Sequence, residues 1–251
     1  MNLDLKDRTF LVTAASRGLG FSVAKSLADE GAEVIICGRN EDSLKKATLL
    51  LGEKAEYHVV DLSKKEDVQS LVKKIATNIL HIDGLFVNAG GPPPGIFSKL
   101  TDEDWKKAFD LTLMSAVWLT RETIPLLKMS DSPSILYSTS ISVKQPIDNL
   151  LLSNAIRPAV IGMMRTLATE LAPDYIRVNA ICPGYIQTER VEELLSASES
   201  AEESITAKIP LKRIGKPEEF GPVAAFLLSP VSSYIHGSLL LVDGGLYQGM
   251  M

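Results

Sequence analysis

The chain has 251 residues, 45% apolar and 23% charged, an ordinary globular composition that excludes disorder or coiled coil for the chain as a whole. Twenty-six basic and 31 acidic residues leave a net charge of −5, so nucleic acid and anionic lipid gain no bulk attraction. No apolar run approaches the roughly 20 residues that a bilayer needs, and Cys37 and Cys182 make neither a disulfide framework nor a zinc site.

Met1 to Lys6 mixes acid with apolar residues and does not read as a signal peptide, which predicts a cytoplasmic protein. Short β-rich runs then alternate with helical patterns. The predicted strands are Thr9–Thr13, Glu33–Cys37, Ala55–Val60, Asp83–Asn88, Ser134–Ser138, Ile176–Ile181 and Ser238–Val242. Phe21–Glu30, stopped by Gly31, and Glu41–Leu51, closed by Gly52, are the first helices. Two longer ones are predicted at about Asp102–Ser130 and Asn149–Ala172. Continuous apolar strands separated by helices imply a parallel sheet covered on both faces. The fold class is therefore α/β: a single Rossmann-type, doubly wound sheet of about seven strands over 1–251. Ligands in that architecture bind beyond the carboxyl ends of the strands.

Two stretches break the alternation. Gly90-Gly-Pro-Pro-Pro-Gly95 is a stiff loop after the fourth strand. Val191 to Ala207 is polar within a long connection, and 189–210 is a candidate substrate lid, against the plainer reading of a solvated surface helix. The three histidines, His58, His81 and His236, are scattered, and no grouping suggests a metal.

Thr13-Ala-Ala-Ser-Arg-Gly-Leu-Gly20 lies where the first strand turns into a helix. A diphosphate needs backbone N–H donors at a helix N-terminus, and Gly18 and Gly20 permit close approach. Ala14 stands where a first glycine would allow the tight turn. Here the chain resembles the short-chain dehydrogenase/reductase family over nearly its whole length. The glycine segment is similar to the family's G-x-x-x-G-x-G turn, and Val87-Asn-Ala-Gly90 to its N-N-A-G segment. Asn179-Ala-Ile-Cys-Pro-Gly-Tyr-Ile-Gln-Thr188 resembles N-x-x-x-P-G-x-x-x-T, and Val242-Asp-Gly-Gly245 the usual ending.

The resemblance implies a bound dinucleotide. Thr13, Ser16, Arg17, Gly18, Leu19 and Gly20 would hold it at the turn, with Arg39, Asp61 and Leu62 at the adenosine end. Asn88, Ala89, Gly90, Arg157, Pro183, Gly184, Ile186 and Thr188 would complete the site. The second strand ends in Cys37-Gly-Arg-Asn40, without the acid that grips a ribose 2′-hydroxyl. Arg17 and Arg39 converging there would suit a 2′-phosphate. NADP(H) is favoured, and NAD(H) stays compatible.

The family works with Asn, Ser, Tyr and Lys. Aligning Val160-Ile-Gly162 with the family's helix places Arg157 at the Lys position, Ser153 at Tyr, Ser140 at Ser and Thr112 at Asn. Arginine is always protonated and a serine hydroxyl is a poor acid, so neither replaces the proton-passing Tyr. Tyr185, beside Pro183-Gly184, is the first alternative donor, ahead of Lys144 and of Tyr137, which reads as core packing in a strand. Pro158 fits a helix only in its first turn, which points to a start near Ser153 or Asn154 with one of them as N-cap. Cys182 reads as a small buried hydrophobe.

The leading functional reading is an NADP(H)-dependent oxidoreductase acting on a carbonyl or alcohol, similar to the 3-oxoacyl-carrier-protein reductase branch. A dinucleotide-binding protein without turnover, acting as sensor or assembly partner, is the alternative. Halohydrin-dehalogenase-like chemistry is disfavoured, because those enzymes keep Tyr and lose the glycine turn. The family commonly pairs through its fourth and fifth helices, which implies a homodimer or homotetramer. Ile161, Met163, Met164 and Leu167 exceed what one buried face would need.

Overall fold

Strand β1 (Thr9–Val12) is buried at every position and sits mid-sheet, paired in parallel with β2 (Glu33–Gly38) on one side and β4 (Gly84–Val87) on the other. The computed structural model describes residues 2–195 and 201–250. β3 (Ala55–Val59), β5 (Ser134–Ser138), β6 (Arg177–Pro183) and β7 (Leu239–Val242) complete a parallel sheet in the order β3-β2-β1-β4-β5-β6-β7. The order reverses between β1 and β4, and in such sheets the crevice beyond that switch point binds ligand. Strand bounds agree with the hydrophobic runs in the sequence to within a residue or two; β1, β2, β4, β5 and β6 are buried along most of their length, whereas the edge strands β3 and β7 are partly exposed.

Helices α1 (Gly18–Asp29), α2 (Glu41–Leu51) and α9 (Pro217–Leu228) bury Val23, Leu27, Leu44 and Phe220 in one apolar layer. α3 (Lys65–Asn78), α5 (Ser115–Leu127) and α6 (Leu151–Glu170) bury Leu71, Leu119 and Met164 in the layer on the opposite face. Two short helices, α7 (Glu189–Leu195) and α8 (Ala201–Lys208), occupy the long connection before α9. Residues 196–200 of the candidate lid lie outside the described residues.

Two expectations change. The long helix at 102–130 is divided: α4 (Asp102–Phe109) passes through a π turn, Asp110–Met114, into α5. α6 starts at Leu151, so Ser153 and Asn154 lie inside its first turn and neither is the N-cap. Asn154 instead clasps the preceding loop, its Oδ1 accepting from Ile147 N at 3.1 Å and its Nδ2 donating to Ile147 O at 2.9 Å. That clasp draws the helix start upstream and leaves Pro158 about two turns in, where it is exposed and costs the helix one backbone hydrogen bond. Of the apolar residues on α6, Met164 is fully buried, and Ile161, Met163 and Leu167 are partly buried where they pack against the chain's own core.

Candidate active site

The turn after β1 is tied to the segment after β4. Thr13 Oγ1 donates to Asn88 O at 2.7 Å and accepts from Asn88 N at 2.8 Å. Asn88 Nδ2 donates to Ala14 O at 3.3 Å. Ala14 has φ of 49°, so it adopts the left-handed conformation that glycine would take there, at a cost of about 1–2 kcal/mol. A Cβ on Gly20 would lie 2.4 Å from the Ala14 carbonyl, so this close crossing requires glycine. The crossing brings the N-terminus of α1, whose first N–H groups lack intrahelical acceptors, to the mouth of the sheet.

A groove of about 910 Å³ runs from there across the carboxyl ends of the strands. Arg17, Gly18, Leu19 and Arg39 line one end, and Asn88, Ala89 and Gly90 its middle. Pro183, Gly184, Ile186 and Thr188 form the far wall. A Cβ on Gly184 would lie 2.8 Å from Asp243 Cα, so the segments after β6 and β7 cross there only with glycine at 184; Gly244 and Gly245 after β7 have positive φ instead. Thr13 and Gly20 build the turn from inside, and Leu62 buries its side chain in the core.

Arg39 is exposed on the groove wall, whereas Arg17 forms an ion pair with Glu189 at the start of α7. Both arginines line the groove, and Arg17 has a carboxylate partner there already. Arg17 is engaged across the groove, which the sequence does not announce. Burial pushes the Asp61 carboxyl up, but hydrogen bonds from Ser63, aided by the Arg39 charge, leave it below its ordinary value.

The reaction end brings Ser140, Ser153, Arg157 and Tyr185 to one stretch of the same groove. Ser140 caps a short 3₁₀ turn, Ile141–Val143, its Oγ accepting from Ser142 N at 3.1 Å. Arg157 Nε donates to Ser153 Oγ at 3.0 Å, and its Nη1 to Thr139 O at 2.8 Å. Tyr185 is half-buried, and its phenol is raised by burial and then by the Asp148 charge. No cation lowers it, so its setting works against proton donation near neutrality. Tyr137 is not a donor: it is fully buried in β5, its hydroxyl 2.6 Å from Thr120 Oγ1, and burial pushes its phenol far up. Lys144 Nζ lies over the Tyr247 ring at 5.7 Å. Cys182 is buried against Thr139 Oγ1, which fits a small hydrophobe.

Thr112 occupies the π turn, and its buried Oγ1 has no hydrogen-bond partner among the described residues. It lines a cavity of about 20 Å³ together with Ser115, Tyr137 and Arg157, large enough for one water molecule. Ser142, Glu189 and the π turn are features that sequence reasoning missed. The run of hydroxyls from Ser138 to Ser142 was the visible signal for the first. Nothing local marks the other two.

A family model described as enoyl-(acyl carrier protein) reductase matches residues 13–247. The 3-oxoacyl-[acyl-carrier-protein] reductase FabG of Thermotoga maritima is 34% identical over 96% of this chain and 98% of its own. Dehydrogenase/reductase SDR family member 4 of Bos taurus is also 34% identical, over 96% and 88%. The L-sorbose reductase of Gluconobacter frateurii, solved with NADPH and L-sorbose, superposes with a TM-score of 0.94 at 30% identity, covering all of both chains. YwfH, an NADPH-dependent reductase involved in bacilysin biosynthesis, gives 0.92 at 28%, over 98% of this chain and 100% of its own. With its parallel sheet, glycine turn and groove, the chain belongs to the short-chain dehydrogenase/reductase family.

Proposed function

We propose that this oxidoreductase uses NADP(H) to reduce a small carbonyl compound, or to oxidise the matching alcohol, with 3-oxoacyl thioesters the first class to try. The carrying observation is the continuity of one groove from Arg39 and the glycine turn to Ser140 and Arg157. The residues present fit a dinucleotide, since the glycine turn lets a diphosphate approach the α1 N-terminus and Arg39 is exposed on the groove wall for a 2′-phosphate. NAD(H) would leave Arg39 without that partner. Bound NADPH supplies the hydride. Gly18, Leu19, Asn88, Ala89, Gly90, Ile186 and Thr188, which line the groove, would hold and orient it. Ser140 would then donate to the substrate oxygen, and Arg157 would provide fixed positive charge beside it.

Ser153 and Arg157 stand where the family's Tyr and Lys belong, so the protein holds an oxyanion better than it protonates one. Proton delivery falls to water or, less favourably, to Tyr185. Ile205 and Ile209 pack with Ile141 and Tyr185 over this end, which supports 189–210 as a lid. Association as a homodimer or homotetramer and a cytoplasmic location belong to the same reading. The second reading, a dinucleotide-binding protein without turnover, is favoured by the raised Tyr185 phenol.

Single-turnover NADPH oxidation with β-keto thioesters, diketones and aldehydes separates the two. We expect slow turnover that falls about 100–1000-fold in Ser140→Ala and little in Tyr185→Phe. Background rates on every substrate while NADPH still binds would establish the second reading. Unchanged activity in Ser140→Ala would overturn the assignment of the reaction end.

A further inference from the structure

The hydrogens of the serine cluster can be assigned by elimination. Ser142 is buried, and among the described residues its Oγ has one hydrogen-bond partner, Ser153 Oγ at 3.2 Å. A buried hydroxyl proton is rarely left unpaired, so Ser142 donates to Ser153. The reverse arrangement, with Ser153 donating, would strand the Ser142 proton in the interior and incur its desolvation penalty. Ser153 Oγ also accepts from Arg157 Nε at 3.0 Å. A hydroxyl has two lone pairs and one proton. With both lone pairs taken, the Ser153 proton has only the groove to point into, and Ser153 lines that groove. Accepting from a guanidinium also polarises the Ser153 hydroxyl and strengthens it as a donor.

The main chain of Ser142 acts on the other serine. Its N–H donates to Ser140 Oγ at 3.1 Å, which occupies a lone pair of that oxygen and leaves its proton to be donated. One residue thus touches both hydroxyls, through its amide and its side chain. We infer that Ser142 is a positioning residue that commits the Ser140 and Ser153 hydroxyls to donate into the groove, where they form a two-donor site for a substrate oxyanion. The inference rests on the groove being the reaction site and deepens that reading. It names the ligand class as carbonyl compounds whose bound form carries an enolate-like oxygen, backed by the Arg157 cation.

The test uses a cyclic 1,3-diketone, whose ultraviolet spectrum distinguishes enol from enolate, titrated against the protein with NADP⁺ so that no reduction can occur. The bound probe should ionise at lower pH than the free probe. Ser142→Ala should weaken enolate binding about fivefold, the effect of one hydrogen bond, and return the ionisation midpoint toward the free value. Ser142→Thr, which keeps the hydroxyl, should retain the wild-type midpoint, and Ser153→Ala should lose it. Thermal melting verifies that each variant is folded. If Ser142→Ala does not fold, Ser153→Ala and Ser142→Thr carry the comparison. A wild-type protein that does not bind the enolate or move its midpoint overturns the inference, as does a folded Ser142→Ala with the wild-type midpoint. If NADP⁺ fails to bind, the proposed function fails, while the same titration on the cofactor-free protein still decides the oxyanion site.

Discussion

The two ends of the sheet use polar side chains in opposite ways. At the amino end Asp83, 3% exposed, accepts from Thr9 N at 2.8 Å, Ser130 Oγ at 2.6 Å and Arg8 Nη1 at 3.2 Å. Arg177, the first residue of β6 and 7% exposed, donates to the carbonyls of Leu227, Leu228 and Ser229 and to Ser232. It closes the C-terminus of α9, where exposed carbonyls favour a cation. Burial brings its pKa down to about 10, so it stays charged at neutral pH. These groups spend their hydrogen bonds internally. At the carboxyl end Ser140, Ser153 and Arg39 keep donor capacity directed at the groove. Asp83 and the Nη1 and Nη2 donors of Arg177 tie the fold together from within, although Arg177 Nε is buried without a partner among the described residues; the carboxyl-end side chains line the groove.

The strongest way to break this comparison is to strike the amino end. Arg177→Leu removes the donors from Leu228 O and Ser232 O and should cost about 3 kcal/mol or more. Melting should fall by roughly 6 °C or more, while the folded fraction keeps its NADPH affinity. A variant that melts with the wild type would show that the α9 carbonyls do not need this cation. A smaller effect is expected at the carboxyl end from Arg39→Ala. NADPH affinity should fall about tenfold or more by calorimetry, with NADH affinity and melting unchanged. Equal loss for both cofactors would place the 2′-phosphate elsewhere. The smallest effect should come from Ala14→Gly. Relief of the left-handed alanine is opposed by the greater freedom of unfolded glycine, leaving a net gain below about 1 kcal/mol. A loss of stability there would show that the alanine methyl packs usefully in the turn.

The order of strands and helices was legible because period and burial coincide: a buried parallel strand is a continuous apolar run wherever it lies. The cofactor end was legible for a related reason. Its proposed donors are backbone amides, and the glycines that would admit a ligand to them sit within one turn of sequence. The reaction end was only half legible. Ser140, Ser153 and Arg157 could be placed by resemblance, but their hydrogen-bond directions could not, because Ser142 and Ser153 meet through tertiary packing of the 3₁₀ turn against α6. The start of α6 was misplaced for the same cause. Its N-terminus is set by the Asn154 clasp on Ile147 rather than by a capping side chain.

The sequence alone determined the parallel α/β sheet, the glycine turn and the residue types at the reaction end, since these depend on local pattern and on chemistry each residue carries with it. Only the tertiary structure decided that Arg17 faces Glu189 and that the 110–114 stretch is a π turn. It also brought Ser142 against Ser153 and Ser140. Those outcomes depend on which groups from distant segments meet in the interior, where a hydrogen bond left unmade is costly.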